Sequence, residues 1–565
     1  MKRLPKIALL VALAIAAMSL VACNSDDGPT TATTATTTAA PATTTAAQAA
    51  TPAETAPAGP VLAEGQISEE PIHLRVFASA GLDMPMYNDM PHMFAHSERT
   101  NVFVTWEHVP FGQHDERFNV ILASGTLPDM FWNIRNTGLQ ALRAGGAAAE
   151  ISEYLTPELM PHFNARIDEF PFIVETFTEV DGSVFFLPLI DGLATNDPLI
   201  LRGDWLEYLG LPVPETLDDW LAYWIGVRDN DVSGTGLNNE VPLSVVNAGA
   251  RRNYFRTWVS AFGMNDRFFV DANNCNTIIF SNVDPRYVEF LEWANMLWEE
   301  NILCREFASS SSDMHGTRTA QNLLGSFRGL LNGQLNGPMN SMPAQIEGFN
   351  LIGAPPIRSA DGHQLHPGVQ NLVRTDMIGG VVTATSNYIR EAVMFTDWFY
   401  DFSAPYGGAF MNIFGVEGLT FYFTNDERTE FTYSTYVLQN PDGMTPGQVL
   451  ARYTTRVQHP GFANPLGSFR QWHPNTEAAF LANEPFYNDS IRFLVPNLPL
   501  TEADERRIRN LMADIDTYVD EQINNFIMGR RDISTFPQFI QTVERMGINE
   551  VLEIKNTALE VHRSR

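Results

Sequence analysis

The sequence predicts an α/β protein with more than one lobe, and three observations carry that expectation. The chain has 565 residues, too many for one compact core. It is 44% hydrophobic and 11% aromatic, enough to fill cores of that size. From about residue 71, runs of period two alternate with runs of period 3.6.

Taken in order, Ile72, Leu74 and Val76 alternate as in a strand, and so do Val102, Val104 and Trp106. Between Gly112 and Gly125 a helix is expected, with Phe118, Ile121 and Leu122 on one face and Gly125 as its stop. Leu127 to Trp132 reads as a short buried strand. Trp205–Leu209, Leu217–Val227 and Asp284–Asn301 read as helices, and Ile352–Pro356 as a strand running into a turn. The C-terminal end reads as helix. Thr501 and Asp504 form a cap-like pair before one amphipathic helix, and Ser534–Met546 forms a second, stopped by Gly547. Trp220, Trp224, Trp293, Trp298 and Trp398 lie on helices among apolar neighbours and are assigned to packing.

Composition excludes several functions. The 36 basic and 66 acidic side chains give a formal charge of −30, so a nucleic-acid partner is not expected. The only lysines are Lys2, Lys6 and Lys555, and none follows a glycine, so no Walker phosphate loop exists. The zinc-protease, serine-hydrolase and Cys-x-x-Cys motifs are absent. Arg202-Gly203-Asp204 spells an adhesion tripeptide but opens an amphipathic helix, and it is discounted. No residue pattern singles out a catalytic pair.

The N-terminus is a targeting segment. Residues 1–22 place Lys2, Arg3 and Lys6 before an uncharged stretch from Ile7 to Ala22, the pattern of a signal peptide. Leu20-Val21-Ala22-Cys23 resembles a bacterial lipobox, which implies cleavage before Cys23 and lipid attachment there. Residues 23–65, rich in Thr, Ala and Pro, bury too little to fold and read as a tether. Extended towards polyproline II, this segment would reach on the order of 100 Å from the membrane. Cys275 and Cys304 remain, either as a disulfide closing a loop of about 30 residues or as two buried free thiols.

Five local phrases carry a resemblance to a known family. Ala123-Ser124-Gly125-Thr126-Leu127-Pro128-Asp129 is similar to "ASG-x-x-PD", and Asp181 to Pro188 to "DGK-x-Y-x-LP". Arg202 to Leu211 is similar to "RKDWLDKLGL", Pro214 to Trp220 to "P-x-T-x-DEW", and Gly415-Val416-Glu417-Gly418 to "YGVEG". In this order they cover most of residues 70–550. They resemble the extracellular solute-binding lipoproteins of bacterial ABC importers, family 1, in the large subgroup that takes up oligosaccharides such as alginate.

The resemblance implies a two-lobed periplasmic-binding-protein-like fold with a hinge and C-terminal helices, and no catalysis. Lobe 1 is expected over about 68–188 plus 378–424, and lobe 2 over 189–377 plus 425–565. Crossings between lobes are placed near Pro188–Leu199, Met377–Val381 and Ile413–Thr424, with Gly379-Gly380 suited to a hinge strand. The implied partners are an oligosaccharide and ABC permease subunits. The implied site is the extracytoplasmic membrane face, reached by a monomer through its lipid anchor alone. A peptide receptor of the same fold and a tethered glycan-degrading enzyme are the rival readings.

Residues 229–240 alternate oxygen-bearing side chains with glycines and close on a Glu, which suits Ca²⁺. Against the family's "DPNGNGK-x-DE" loop, ligand roles fall to Asp231, Ser233, Thr235, the Leu237 carbonyl, Asn239 and Glu240. Ser and Thr stand where the pattern has Asn, and Asn239 where it has Asp. A structural Ca²⁺ and a polar turn without metal are both compatible with this loop. For a sugar, aromatic faces stack while amides and Arg take hydroxyls. Tyr87, Trp132, Asn133, Trp258 and Trp472 are the expected contacts on this ground. Arg252 and Arg256 are placed to pair with an acidic sugar.

Overall fold

The computed structural model describes residues 65–564 apart from 81–84, 180, 193–196, 247–255, 361, 367–371, 374–376, 441–443, 445, 456–458, 465–470 and 472. Cys23, the signal and the tether lie outside the described residues, as do Arg252 and Trp472. Arg256 opens the helix Arg256–Val259, but its side chain is also outside them. All described residues belong to one compact unit, 60–565.

The chain begins with β1 (Ile72–Ala80), β2 (Val102–Pro110) and β3 (Met130–Arg135). These run parallel, with β1 between the other two; Val76 lies opposite both Trp106 and Met130. The expected alternation holds from Ile72 to Val76 and from Val102 to Trp106, while β1 is buried on both faces from Val76 to Ser79. The helix His114–Ser124 between β2 and β3 ends at Gly125, whose φ of 68° closes the helix in a conformation that disfavours other residues. After β4 (Leu189–Asp191) the chain enters a second sheet at β5 (Leu199–Arg202) and β6 (Val241–Leu243). A short antiparallel pair follows, β7 (Phe268–Val270) and β8 (Ile278–Phe280), and then β9 (Leu324–Arg328) and β10 (Leu351–Ala354). The second sheet runs β10-β5-β9-β6. The chain returns at β11 (Met377–Val382), antiparallel to β3, which completes the first sheet as β11-β3-β1-β2. A hairpin of β12 (Phe421–Phe423) and β13 (Phe431–Tyr433) follows, and β14 (Gly461–Ala463) pairs parallel with β4.

Each sheet has its own core. Residues between Ile67 and Ile190, together with Leu372 to Ala409, bury the first. Residues between Leu199 and Leu365, together with the C-terminal helices from Met512 to Val551, bury the second. Trp220, Trp224 and Trp398 are core residues, as expected. Arg202 is 2% exposed, bonds to Asp204 and stacks on Trp205, so the tripeptide is an internal ion pair with no adhesive face.

Three strands join the sheets. Leu187 exchanges two backbone hydrogen bonds with Gly380, at 2.7 and 2.9 Å, and β4 pairs with β14. Two of these segments, 187–191 and Met377–Val382, overlap stretches expected from the sequence to cross, while the third segment is β14 and Ile413–Thr424 is not among them. Residues 410–463 instead fold around a core of their own, holding Phe410, Phe414, Phe421, Tyr433 and Val449, which a boundary at 424 would divide. The glycine pair is needed where it stands. A Cβ on Gly379 would lie 2.5 Å from the Leu187 carbonyl oxygen, and one on Gly380 would lie 2.9 Å from the Pro460 ring.

Two further differences concern the C-terminus and the cysteines. Gly547 ends one helix, but its φ of 105° only turns the chain, and a third helix, Ile548–Arg563, follows at once. Cys275 is exposed and Cys304 buried, both as free thiols, so the disulfide alternative does not hold.

Candidate functional site

The parallel strands β1, β2 and β3 end on one side of their sheet, where open α/β sheets bind ligands. Tyr87, Trp132 and Asn133 all lie at that end, but they form core and not a platform. Tyr87 and Trp132 are fully buried. Trp132 meets Trp106 edge-on at 4.6 Å and Phe399 at 5.0 Å, and Tyr87 meets Trp106 at 4.9 Å. Fully buried among these rings, neither can stack on a sugar in this conformation. The indole N–H of Trp132 is nevertheless buried without a partner among the described residues, as is Nε2 of His108 at the end of β2. Asn133, 6% exposed, takes a φ of 56° and turns its amide to the Ser79 hydroxyl at 3.4 Å, joining the ends of β1 and β3.

Trp258 is also corrected. It is 1% exposed and packs against Trp220 at 5.3 Å and Trp224 at 4.9 Å, inside the second core. Four indoles, with Trp293, form that cluster, and it explains the aromatic density of this region by packing alone.

The second sheet carries an open cavity of about 310 Å³, at the low end of the range for small-ligand sites. It is walled by Val246, three residues past β6, by the end of β9, and by the helices Ser312–Ala320 and Asn336–Ser341. Val246, Phe327 and Met342 supply apolar surface, while Thr319, Gln334 and Ser341 supply neutral polar groups. Arg328 and His315 complete the wall. This cavity adjoins the crossing strands: Gly329 donates its N–H to the carbonyl of Pro198, and Arg328 pairs with Asp197 at 3.0 Å just before β5. His315 bonds the Ser244 hydroxyl at 2.8 Å, which also accepts from Arg318 at 3.0 Å. Burial, helped by the nearby Arg318 charge, lowers the His315 pKa to about 4, so the ring is neutral at physiological pH. None of these wall residues was singled out from sequence. They span 246–342 without a motif. The available signal was the set of polar residues that follow β6 and β9 at the ends nearest the crossing.

The 229–240 loop gathers several of its expected oxygens. The Asp231 carboxylate accepts from the backbone N–H of Thr235 at 2.9 Å and of Gly236 at 2.8 Å. The Ser233 hydroxyl lies 3.1 Å from that of Thr235, and the Ser233 N–H donates to Glu240 at 3.1 Å. Gly234, Gly236 and Asn238 all take positive φ, which curls the loop around this cluster. The Leu237 side chain is 70% exposed, and Asn239 is exposed. Two carboxylates and two hydroxyls at the mouth of one turn fit a hard cation that takes oxygen ligands. Among the described residues no group of three or more His, Cys, Asp and Glu side chains is placed to hold a metal. Of the expected ligands only Asp231 and Glu240 are carboxylates, while Asp229 pairs with Arg228 at 2.7 Å, so hydroxyls and carbonyls would have to supply the rest.

No family model matches the chain. The fructooligosaccharide ABC transporter substrate-binding protein FusA of Streptococcus pneumoniae is 20% identical to it over 488 residues, 81% of this chain and 84% of FusA. The chain is a homologue of ABC-transporter substrate-binding proteins. Lipoprotein LipO of Bacillus subtilis is 26% identical over 216 residues, 37% of this chain and 40% of LipO. Among solved structures, alginate-binding protein AlgQ2 without calcium ion superposes with a TM-score of 0.66 at 19% identity, over 88% of this chain and 99% of AlgQ2. An EF-hand mutant of FusA in complex with fructo-nystose gives 0.66 at 18% identity, over 87% of this chain and 99% of FusA. The fold is therefore the two-lobed, periplasmic-binding-protein-like one, and FusA and AlgQ2 are binding proteins, not enzymes. No helix among the described residues is long and apolar enough to cross a membrane.

Proposed function

We propose that this chain is a lipid-anchored receptor that captures an oligosaccharide outside the cytoplasm and delivers it to an ABC permease. The observation that carries this reading is the 310 Å³ cavity set against a three-strand crossing between two separately packed sheets. Such an arrangement allows one half to close over a ligand held by the other, with binding energy favouring the closed state. FusA, which matches over most of both chains, is named for fructooligosaccharide and was solved with a fructan bound. Anchoring is supported by the lipobox-like residues ending at Cys23 and by the name of LipO.

Arg252, Arg256 and Trp472 belong to the same proposal as ligand contacts, with the arginines donating to sugar hydroxyls. In sequence, Arg252 lies six residues after Val246, which lines the cavity, and Arg256 opens a helix. Trp472 precedes His473, whose N–H donates to Asn336 at the start of the cavity-wall helix, at 3.1 Å. Ca²⁺ in the 229–240 loop is proposed as a structural clamp held by Asp231, Ser233, Thr235, the Leu237 carbonyl, Asn239 and Glu240. Calorimetric titration of the chelated protein tests it, and no heat at millimolar Ca²⁺ ends the idea. The receptor reading is tested by thermal-shift screening against oligosaccharides and peptides, since a bound ligand raises the unfolding temperature. Stabilisation by peptides alone, or cleavage of a polysaccharide on prolonged incubation, would replace it with one of the rival readings.

A further inference from the structure

We propose that the cavity beside β9 selects an uncharged sugar residue, so that the receptor takes neutral oligosaccharides in preference to uronate-containing ones. This rests on the oligosaccharide-receptor reading above and specifies its substrate class.

The argument is the charge state of the wall. Among the described wall residues Arg328 is the only one that carries a permanent charge. Its guanidinium is already committed: Nη2 lies 3.0 Å from Asp197 Oδ2, and both side chains are 8% exposed. The other basic wall group, His315, bonds the Ser244 hydroxyl and is held neutral by burial and by the charge of Arg318. Arg318 in turn is engaged by Ser244 and by Glu306 at 2.8 Å. The remaining polar wall groups, on Thr319, Gln334 and Ser341, are neutral.

A sugar hydroxyl finds suitable partners here, because each neutral polar group can donate to it or accept from it. A carboxylate does not. To gain a counter-charge it must displace Asp197 from Arg328, and this breaks an ion pair between two nearly buried side chains. If it leaves that pair intact, it is itself a charge in a partly buried cavity without a partner. The rest of the molecule adds to the penalty, since an anion approaches a chain of formal charge −30. The apolar surface of Val246, Phe327 and Met342 is indifferent to charge and suits the C–H face of any sugar ring.

The test uses the full chain and matched pairs of ligands. Galacturonate, mannuronate and glucuronate trisaccharides are each compared with their carboxyl-reduced counterparts, which keep stereochemistry and linkage, and fructo-oligosaccharides are added as further neutral probes. Calorimetry is expected to show at least one neutral member binding, with its uronate partner at least about tenfold weaker. A uronate that binds as tightly as its reduced partner, or more tightly, overturns the proposal. If Arg252→Ala or Arg256→Ala then removes that binding, the arginines have supplied the charge that the cavity lacks. Binding of no sugar in the panel, neutral or acidic, overturns the receptor reading instead. Asp197→Asn provides a second measurement. It frees Arg328 with little change in shape, and the ratio of uronate to neutral affinity should rise at least tenfold; an unchanged ratio in a folded variant also overturns the proposal. If Asp197→Asn does not fold, the matched pairs on the unaltered chain still decide.

Discussion

Gly379→Ala is expected to weaken the junction between the two sheets. A Cβ at this position would lie 2.5 Å from the Leu187 carbonyl oxygen, 2.8 Å from the Leu189 nitrogen and 2.9 Å from the Pro188 carbonyl carbon. All three atoms are backbone, so no side chain can rotate out of the way. The segment 187–189 must retreat from β11, and it is held there by the paired Leu187 and Gly380 hydrogen bonds. Overpacking costs about 1–3 kcal/mol, and two weakened backbone hydrogen bonds add about 1 kcal/mol each. Against this, alanine gains up to about 1 kcal/mol by restricting the unfolded chain. The net expected loss is about 2–5 kcal/mol. Urea unfolding measures it, with Gly337→Ala as the control. Gly337 is helical and has open space around the added methyl, so its variant should be unchanged or more stable by up to about 1 kcal/mol. Equal midpoints for the two variants would refute the reasoning. So would a loss in Gly379→Ala without any change in sugar affinity, because a displaced crossing strand alters how the halves close.

Trp258→Ala is expected to destabilise by about 3–5 kcal/mol, the cost of a large core truncation, because the ring is 1% exposed among three other indoles; a stable variant with lost sugar affinity would return Trp258 to the binding surface. Acid should unfold the protein earlier than its carboxylates alone would. Burial lowers the pKa of His96 and His366 to about 3 and of His92 to about 4. The stability these neutral rings confer is complete above their unfolded value near 6.5 and is lost as pH falls from there towards the folded values. Each contributes a slope of about 1.4 kcal/mol per pH unit in that window. Urea midpoints at pH 7, 6 and 5 check this, and a flat profile across that range refutes it. Iodoacetamide on the folded protein should label Cys275 and spare Cys304 until denaturant is added; protection of both would point to a bridge after all.

What was legible in the sequence was local. The alternation in β1 and β2, the Gly125 stop and the Thr501–Asp504 capping box are each set by residues a few positions apart, and all appear in the structure. What failed depended on distant segments. Whether Trp132 is platform or core is decided by Phe399, far along the chain, and nothing near Trp132 indicates it. The pairing of β14 with β4 was not legible because β14 has only three residues, too few for a period, while the 413–424 region holds a helix end and a hairpin strand. The cavity was invisible for the same reason: its wall joins residues from 246 to 342 that share no spacing.

The loop and the cavity meet through one strand. The Ser233 carbonyl accepts from the Asn322 side chain at 3.2 Å, and Asn322 in turn accepts from Arg202. From Asn322 the chain enters β9, whose far end is Arg328 on the cavity wall. A cation in the loop would therefore fix the entry of β9 and not the exit that meets the ligand. The entry of β9 pairs with β6 and its exit with β5, with Ser326 paired to both, so the exit keeps its own partner strand once the sheet is formed. Chelation should accordingly lower the unfolding temperature while changing sugar affinity little at temperatures where the protein stays folded. Asp231→Ala should reproduce that pattern and remove the response to added Ca²⁺, because the Asp231 carboxylate is the group that organises the Thr235 and Gly236 amides. A variant that keeps its thermal stability but loses sugar binding would mean that the loop acts on the cavity by a route other than β9.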